Sequence, residues 1–327
     1  AREATLPGGM PHLPELIRHS HGITTVDAMY VRPRYAAVHI IEREGRAAIV
    51  DTGTNASVPL VLAALEQLGI ATASVEWVLL THVHLDHAGG AGLLLEALPR
   101  ARAVVHPRGV AHLVDPSRLV NATRAVYGAE RFERLYGTLV PIAAERIVET
   151  HDLDRWALGA DEFTILHTPG HALHHQVFFD PRASAVFTGD TFGLSYPALE
   201  SEQGAFIVPT TTPTQFDPEQ LLASIERLLS LGADAAYLTH FGRVTGLPAL
   251  ARELREQIGA FVAIARARRG AGDRQALIAS DLRALWIERL ARHQPGADAA
   301  RVDAVLSDDL ELNAQGLVAW LERDERK

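Results

Sequence analysis

Apolar positions along the chain follow two different repeats, and the switch between them marks out the elements. "YAAVHII" (Tyr35 to Ile41) and "RAAIVD" (Arg46 to Asp51) are short runs rich in strand-forming residues. The "EREG" between them has turn chemistry, so the pair predicts a hairpin. "SVPLVLAALEQLG" (Ser57 to Gly69) changes to helical spacing, with a serine at its start and a glycine at its end, and predicts a helix. "EWVLLT" predicts a buried strand, "GAGLLLEALP" a helix closed by Pro99, and "ARAVVH" another strand. Residues 107–150 read as helices with polar breaks, an insertion between two strand-rich halves. "FTILHT", "HQVFFD" and "SAVFTGD" predict strands separated by Pro and Gly turns, Asp217 to Leu231 a helix with an aspartate cap, and "AAYLTH" a last strand. After Gly246 only amphipathic helical spacing remains. The expected organisation is α/β, with sheet layers covered by helices on their outer faces. A domain over residues 1–246, with a helical insertion at about 107–150, precedes a helical C-terminal region over 247–327.

Composition narrows the chemistry. Of 327 residues, 47% are hydrophobic and 22% charged, which predicts a packed core. No apolar run approaches the ~20 residues of a membrane helix, so no membrane partner is expected. The first residues lack a positive-then-apolar signal pattern, so a cytoplasmic location is expected. Cysteine is absent, which removes disulfides, thiolate nucleophiles and sulfur ligands. The single lysine is Lys327, which leaves no lysine for a P-loop or a Schiff base. The net charge is -9, and residues 1–246 hold 18 Arg against 27 Asp plus Glu. An acidic body disfavours nucleic acid, so the expected partner is a small-molecule substrate; self-association is left open.

One stretch concentrates the chemistry. In "VEWVLLTHVHLDHAGG" (Val75 to Gly90), His82, His84, Asp86 and His87 follow directly on the apolar run. In a tight loop such a set can diverge toward two nearby points, His82 and His84 toward one cation, Asp86 and His87 toward another. Imidazole with carboxylate suits borderline divalent ions, Zn2+ first, with Mn2+ or Fe2+ open. His171, Asp190 and His240 repeat the context, each following an apolar run in "FTILHTPGH", "AVFTGD" and "AAYLTH".

"THVHLDH", "TPGH", "FTGDT" and "LTHFG", with the earlier "IVDTGT", resemble the metallo-β-lactamase superfamily over about residues 23–245. That resemblance implies an αββα sandwich with a helical C-terminal appendage. It implies that His82, His84 and His171 bind one metal ion and Asp86, His87 and His240 a second, with Asp190 bridging. It places Asp51 behind a ligand histidine and makes Asp86 a proton carrier as well as a ligand. Two such ions can activate water and polarise a carbonyl or phosphoryl oxygen, so the expected activity is hydrolysis of an ester-type bond, a lactone, thioester or similar. His174, His175, Phe192, Tyr196 and Phe241 are candidates for supporting the site or touching substrate. Packing explains each of them equally well. His12, His19, His21 and His39 show no partner pattern and are assigned to surface or core.

Departures within the family matter. The Gly- and Cys-rich stretch of glyoxalase II-like thioesterases is replaced after "FTGDT" by "FGLSYPALES". Lactonase-like members carry a tyrosine three residues after the bridging aspartate, where this chain has Gly193, with Tyr196 three further on. An alternative from another reaction class is a persulfide dioxygenase-like enzyme with one iron on His82, His171 and Asp190. A phosphodiesterase, or a binding protein without activity, remains open on the same fold.

Overall fold

The architecture was obtained as a computed structural model, which describes residues 13–211 and 215–326. His12 lies outside the described residues. Seven strands form the first sheet, in spatial order β1 (Leu16–Arg18), β2 (Ile23–Asp27), β3 (Ala37–Arg43), β4 (Arg46–Val50), β5 (Val75–Leu79), β6 (Arg102–Val105) and β7 (Ile147–Glu149). The second has six, ordered from β13 (Gly242–Thr245) through β12 (Ala235–Leu238), β11 (Ala185–Gly189), β10 (Gln176–Asp180) and β9 (Asp161–His167) to β8 (Arg155–Leu158).

The period of two in these strands decides the layering. On β4, Ala48 and Val50 join an apolar cluster that also holds Phe163, Ile165, Phe178, Phe187 and Tyr237 of the second sheet. Ala47 and Ile49 point the other way, into the cluster formed with the helices. The same split separates Ala103 and Val105 from Val104 on β6, and Ala236 and Leu238 from Ala235 and Tyr237 on β12. Both faces of each sheet are therefore dry, which is why these strands read as near-continuous apolar runs. The predicted hairpin is β3–β4, with Arg43 opposite Arg46. The helix expected at Ser57 to Gly69 is α1 (Val58–Leu68), ending on Gly69 in the left-handed conformation at φ 72°.

Leu85–Ala88 is a single helical turn, α2, and Ala91–Ala97 is α3. The stretch from 107 to 150 holds α4 (Pro107–Val114), α5 (Ser117–Tyr127) and α6 (Ala129–Leu135), but its last residues are strand rather than helix. β7 runs parallel to β6, Ala103 facing Ile147. Three residues are too few for a periodic signal, so β7 was not legible in the sequence. β1, β2, β8 and β13 likewise had no reading. Asp217 caps α7 (Pro218–Leu229), its carboxylate accepting from the Gln220 N–H.

Three long helices follow: α8 (Leu247–Ala267), α9 (Arg274–His293) and α10 (Ala299–Asp324). Their buried stripes, including Phe261, Trp286 and Leu317, belong to the same apolar cluster as the outer face of the sheets. Among the described residues, no helix is long and apolar enough to cross a membrane.

Far from the strand ends that carry the histidines, Arg43 on β3 ties the two sheets together. Its guanidinium donates to Asp180 on β10 at 2.6 Å and to Asp161 on β9 at 2.7 Å. The Arg43 and Asp180 side chains are at most 1% exposed. Removing Asp180 leaves the buried guanidinium paired with Asp161 but with an unsatisfied N–H. Asp180→Ala is therefore expected to cost ~1–3 kcal/mol in chemical denaturation and to leave metal content unchanged. A loss below ~1 kcal/mol would show that water reaches Arg43.

Candidate metal centre

β4, β5 and β6 are mutually parallel, as are β11 and β12, so the C-terminal ends of the strands collect on one edge of the sandwich. Asp51 follows β4, His82 to His87 follow β5, His171 follows β9, Asp190 follows β11 and His240 follows β12. The seven residues expected from the sequence, spread from 82 to 240, converge there.

They gather as two sets joined by a third, His82 with His87 and Asp190. The coordinating atoms of His82, His84 and His171 all lie within 4.8 Å of one another, and so do those of Asp86, His87 and His240. In the first set, His84 Nδ1 is 2.8 Å from His82 Nε2 and 3.1 Å from His171 Nε2. In the second, His240 Nε2 is 3.2 Å from Asp86 Oδ2. Asp190 stands between them, Oδ2 at 3.3 Å from His171 Nε2 and Oδ1 at 3.3 Å from His87 Nε2.

Groups behind the imidazoles set their tautomers. His240 Nδ1 donates to the Tyr35 carbonyl at 2.8 Å, and His171 Nδ1 to the Thr210 carbonyl at 3.4 Å. His87 Nδ1 donates to Asp51 Oδ2 at 2.8 Å. Each Nε2 lone pair is thereby turned inward. Asp51 also accepts from the Thr81 N–H at 2.9 Å and the Thr239 hydroxyl at 2.8 Å, so one carboxylate locks the ends of β5 and β12. It supports His87 from behind. His175 does the same for Asp190. Its Nε2 accepts from the Asp190 N–H at 3.1 Å, and its Nδ1 donates to Thr168 Oγ1 at 2.9 Å.

The electrostatics fit cations. Burial, then the neighbouring histidines, push His82 far below the ordinary imidazole range, and the same causes hold His84 at about 3. Burial also lowers His171. All three are neutral at physiological pH, the form that coordinates. Burial would lower His87 too, but the carboxylates of Asp190, Asp86 and Asp51 outweigh it and hold its proton well above the usual range. For Asp190 burial is opposed by His87 and His171, which keep it far below the carboxylate range. Burial of Asp86 is outweighed by His87 and His240, leaving it at about 2. His87 Nε2 and Asp190 Oδ1 are buried and make no aligned hydrogen bond. Two buried polar atoms paired by charge at 3.3 Å but without an aligned hydrogen bond, among three carboxylates, are what a divalent ion would satisfy. Five imidazole nitrogens and two carboxylates suit zinc or another borderline metal.

The centre opens into a cavity of about 180 Å³. His84, Asp86, Asp190 and His240 form its floor, and His174 is beside them. Arg118, Leu119, Val126, Tyr127 and Tyr136 line it from the 107–150 stretch, Leu194, Thr210 and Gln215 from the loop after β11, and Asp309, Leu312 and Asn313 from α10. Residues 212–214 of that loop lie outside the described residues. Phe192 and Phe241 do not line the cavity; both are packed in the apolar core, because each follows a strand-end ligand whose side chain already points to the edge. Tyr196 is also buried and stacks on Tyr35, ring centroids 5.2 Å apart. Gly193 sits at φ 74°, and a Cβ there would be 2.4 Å from the Val208 carbonyl, so no side chain fits. His39 is a core residue, its Nε2 donating to the Leu238 carbonyl at 3.1 Å, while His19 is 2.9 Å from the Thr25 hydroxyl and His21 is exposed.

Sequence reading missed Tyr35, Tyr127, Tyr136, Asp309 and Asn313. For the last two a signal existed: both fall in the buried stripe of α10, between Leu306 and Leu317, where a polar residue breaks the amphipathic pattern. Asn313 Oδ1 accepts from the Thr211 N–H at 2.7 Å, next to the carbonyl that orients His171. The close approach needs Gly316, where a Cβ would lie 1.6 Å from the Thr211 carbonyl. α10 thus braces the first set through Thr211. It reaches the second through Tyr35, whose hydroxyl donates to Asp309 at 3.3 Å.

The sequence profile of the metallo-beta-lactamase superfamily matches residues 31–240. A metallo-beta-lactamase fold-containing protein of Sulfurisphaera tokodaii is 25% identical over 218 residues, 65% of this chain and 75% of that protein. A hydroxyacylglutathione hydrolase of Xanthomonas campestris is 31% identical over 208 residues, 62% of this chain and 63% of that enzyme, so just under two thirds of its length is matched. Among solved structures, an archaeal metallo-beta-lactamase superfamily protein from Sulfolobus tokodaii superposes with a TM-score of 0.65 at 22% identity, covering 92% of this chain and 99% of that one. A metallo-beta-lactamase family protein from Thermus thermophilus gives 0.61 at 20%, covering 96% and 93%. At these identities the likeness to the solved structures is one of fold.

Proposed function

This chain belongs to the metallo-beta-lactamase superfamily, and from that premise we propose that it is a dinuclear metal-dependent hydrolase of a small ester-type substrate, a thioester or lactone. The observation that carries the reading is the gathering of seven side chains as two sets joined through His82, His87 and Asp190, with one Asp190 oxygen turned toward His171 and the other toward His87. His82, His84 and His171 would hold one ion, Asp86, His87 and His240 the other, and Asp190 both. Two divalent ions, when bound, supply Lewis acidity and lower the pKa of water.

The chain's own groups do the rest. His84 and Asp86 are the two of the seven that are only partly buried, so both are open to the cavity where substrate would lie. Asp86 is ionised and can take a proton there and deliver it to a leaving group. Leu119, Val126, Leu194 and Leu312 with Tyr127 and Tyr136 give the cavity an apolar and tyrosine side that suits a small acyl body. The thioester option draws support from relatives described as hydroxyacylglutathione hydrolases, although "FGLSYPALES" leaves glutathione itself without the expected recognition stretch.

Elemental analysis of purified protein, then a screen of thioesters, lactones and phosphodiesters on the same sample, tests the reading. About two divalent ions per chain with ester hydrolysis are expected. One oxidisable iron per chain with no hydrolysis would move the protein to the oxygenase class, and turnover of phosphodiesters alone would reassign the substrate.

A further inference from the structure

α10 brings a carboxyl group into the cavity that the proposed hydrolysis does not use. Asp309 is 4% exposed. Its Oδ1 accepts hydrogen bonds from the hydroxyls of Tyr196 at 3.1 Å and Tyr35 at 3.3 Å. Its Oδ2 is buried and has no partner. The residue lines the same cavity as Asp190 and His240. A carboxyl whose only task was to hold two tyrosines would not need an oxygen left unsatisfied in the interior, an arrangement that costs stability. Behind the tyrosines, the Arg32 guanidinium lies 4.7 Å from the Tyr196 ring and 4.8 Å from the Tyr35 ring. It is held there by a 2.8 Å hydrogen bond to the Val305 carbonyl of α10. Burial pushes the Asp309 carboxyl up to about 7, against the pull of His240, Tyr196 and Arg32; above that pH it is the carboxylate, which only accepts hydrogen bonds.

We propose that Asp309 is a specificity residue of this cavity: its free Oδ2 accepts a hydrogen bond from a hydroxyl or N–H group of the substrate away from the scissile bond. The inference rests on the hydrolytic reading above for its substrate class. Leu119, Val126 and Leu312 give the cavity an apolar side, with Arg118, Gln215 and Asn313 elsewhere on its wall. A hydrocarbon chain alone would bury Oδ2 still unpaired, and a chain bearing one donor would pair it. The site therefore selects donor-bearing acyl esters over plain ones. A hydrogen bond to a charged group corresponds to a preference of roughly 10- to 100-fold.

The test compares phenyl hexanethioate with its analogues carrying one hydroxyl at carbon 2, 3 or 6, using metal-loaded protein above the Asp309 titration, at about pH 8.5. The corresponding hexanoate and hydroxyhexanoates are titrated by calorimetry on the same samples. The wild type is expected to favour at least one hydroxylated member by ~10-fold or more, in kcat/KM or in affinity. In Asp309→Asn, the oxygen facing the cavity is exchanged for an NH2 donor while the other oxygen can keep the tyrosines. The charge-assisted bond is thereby lost, and the NH2 can only donate to a hydroxyl oxygen as a neutral group, so the preference should fall several-fold. Equal treatment of parent and hydroxylated members by the wild type overturns the proposal. So does a preference that is undiminished in Asp309→Asn, or an equal loss on every substrate. Should that variant not fold, the wild-type comparison alone decides. Selective binding of a hydroxyhexanoate without any thioester turnover would remove the hydrolytic reading and leave this one standing.

Discussion

Asp190→Ala will bind at most one divalent ion tightly and will lose ester hydrolysis by more than the ~10–100-fold that partners behind a ligand cost. Its two oxygens face His171 and His87 at 3.3 Å each, so a single substitution removes a donor from both sets. Asp51→Ala supplies the scale. Asp51 touches the set only through His87 Nδ1 and the two threonines, and its removal should stay within that ~10–100-fold range. Metal content by elemental analysis and kcat/KM on one thioester, measured for both variants, check the ordering. Two tightly held ions in Asp190→Ala, or a milder effect than Asp51→Ala, would refute the bridging role.

The second large effect concerns the chelated protein in mild acid. His82, His84, His174 and His175 are all held neutral well below the ordinary imidazole value, in each case first by burial and then by neighbouring histidines. In the unfolded chain each titrates near 6.5. Below that pH the unfolded state binds protons that the folded state refuses, so stability falls as the pH falls. The loss amounts to ~2 kcal/mol per histidine between pH 7 and pH 5. His87 and His240 are shifted upward by their carboxylates and act in the opposite sense, but they are fewer. A net loss on the order of 5 kcal/mol or more is expected, read as the shift in urea midpoint between pH 7 and pH 5 with chelator present. Restoring zinc at pH 7 should add ~4 kcal/mol at a thousandfold excess over its Kd. Stability that stays flat from pH 7 to pH 5 would mean that the buried imidazoles reach water.

The elements most legible in the sequence were those with a repeat long enough to measure. The β3–β4 hairpin, α1 with its terminal glycine, α7 with its aspartate cap and the three C-terminal helices all lie where the patterning placed them. β7, at three residues, and β1, β8 and β13 at the sheet edges were not legible. Their existence depends on a neighbouring strand offering hydrogen bonds, not on a pattern of their own. Among single residues, Phe192 and Phe241 show the limit: the strand-end position was readable, but which way each side chain points was not.

The sequence by itself determined which side chains could meet a cation. "THVHLDH" and three later strand ends carry that chemistry in residue type and order, because a ligand must follow a buried strand closely to be held still at its end. Tertiary structure alone decided that the seven meet at these distances and what stands around them. That meeting depends on the parallel registers of β4 with β5 and of β11 with β12, and on Asp51 and His175 holding the loops from behind. It also decided that α10, over a hundred residues beyond Asp190, would set Asp309 into the cavity wall. Local patterning reports which face of a helix is buried, but not against what, and the cavity is made of such meetings between distant faces.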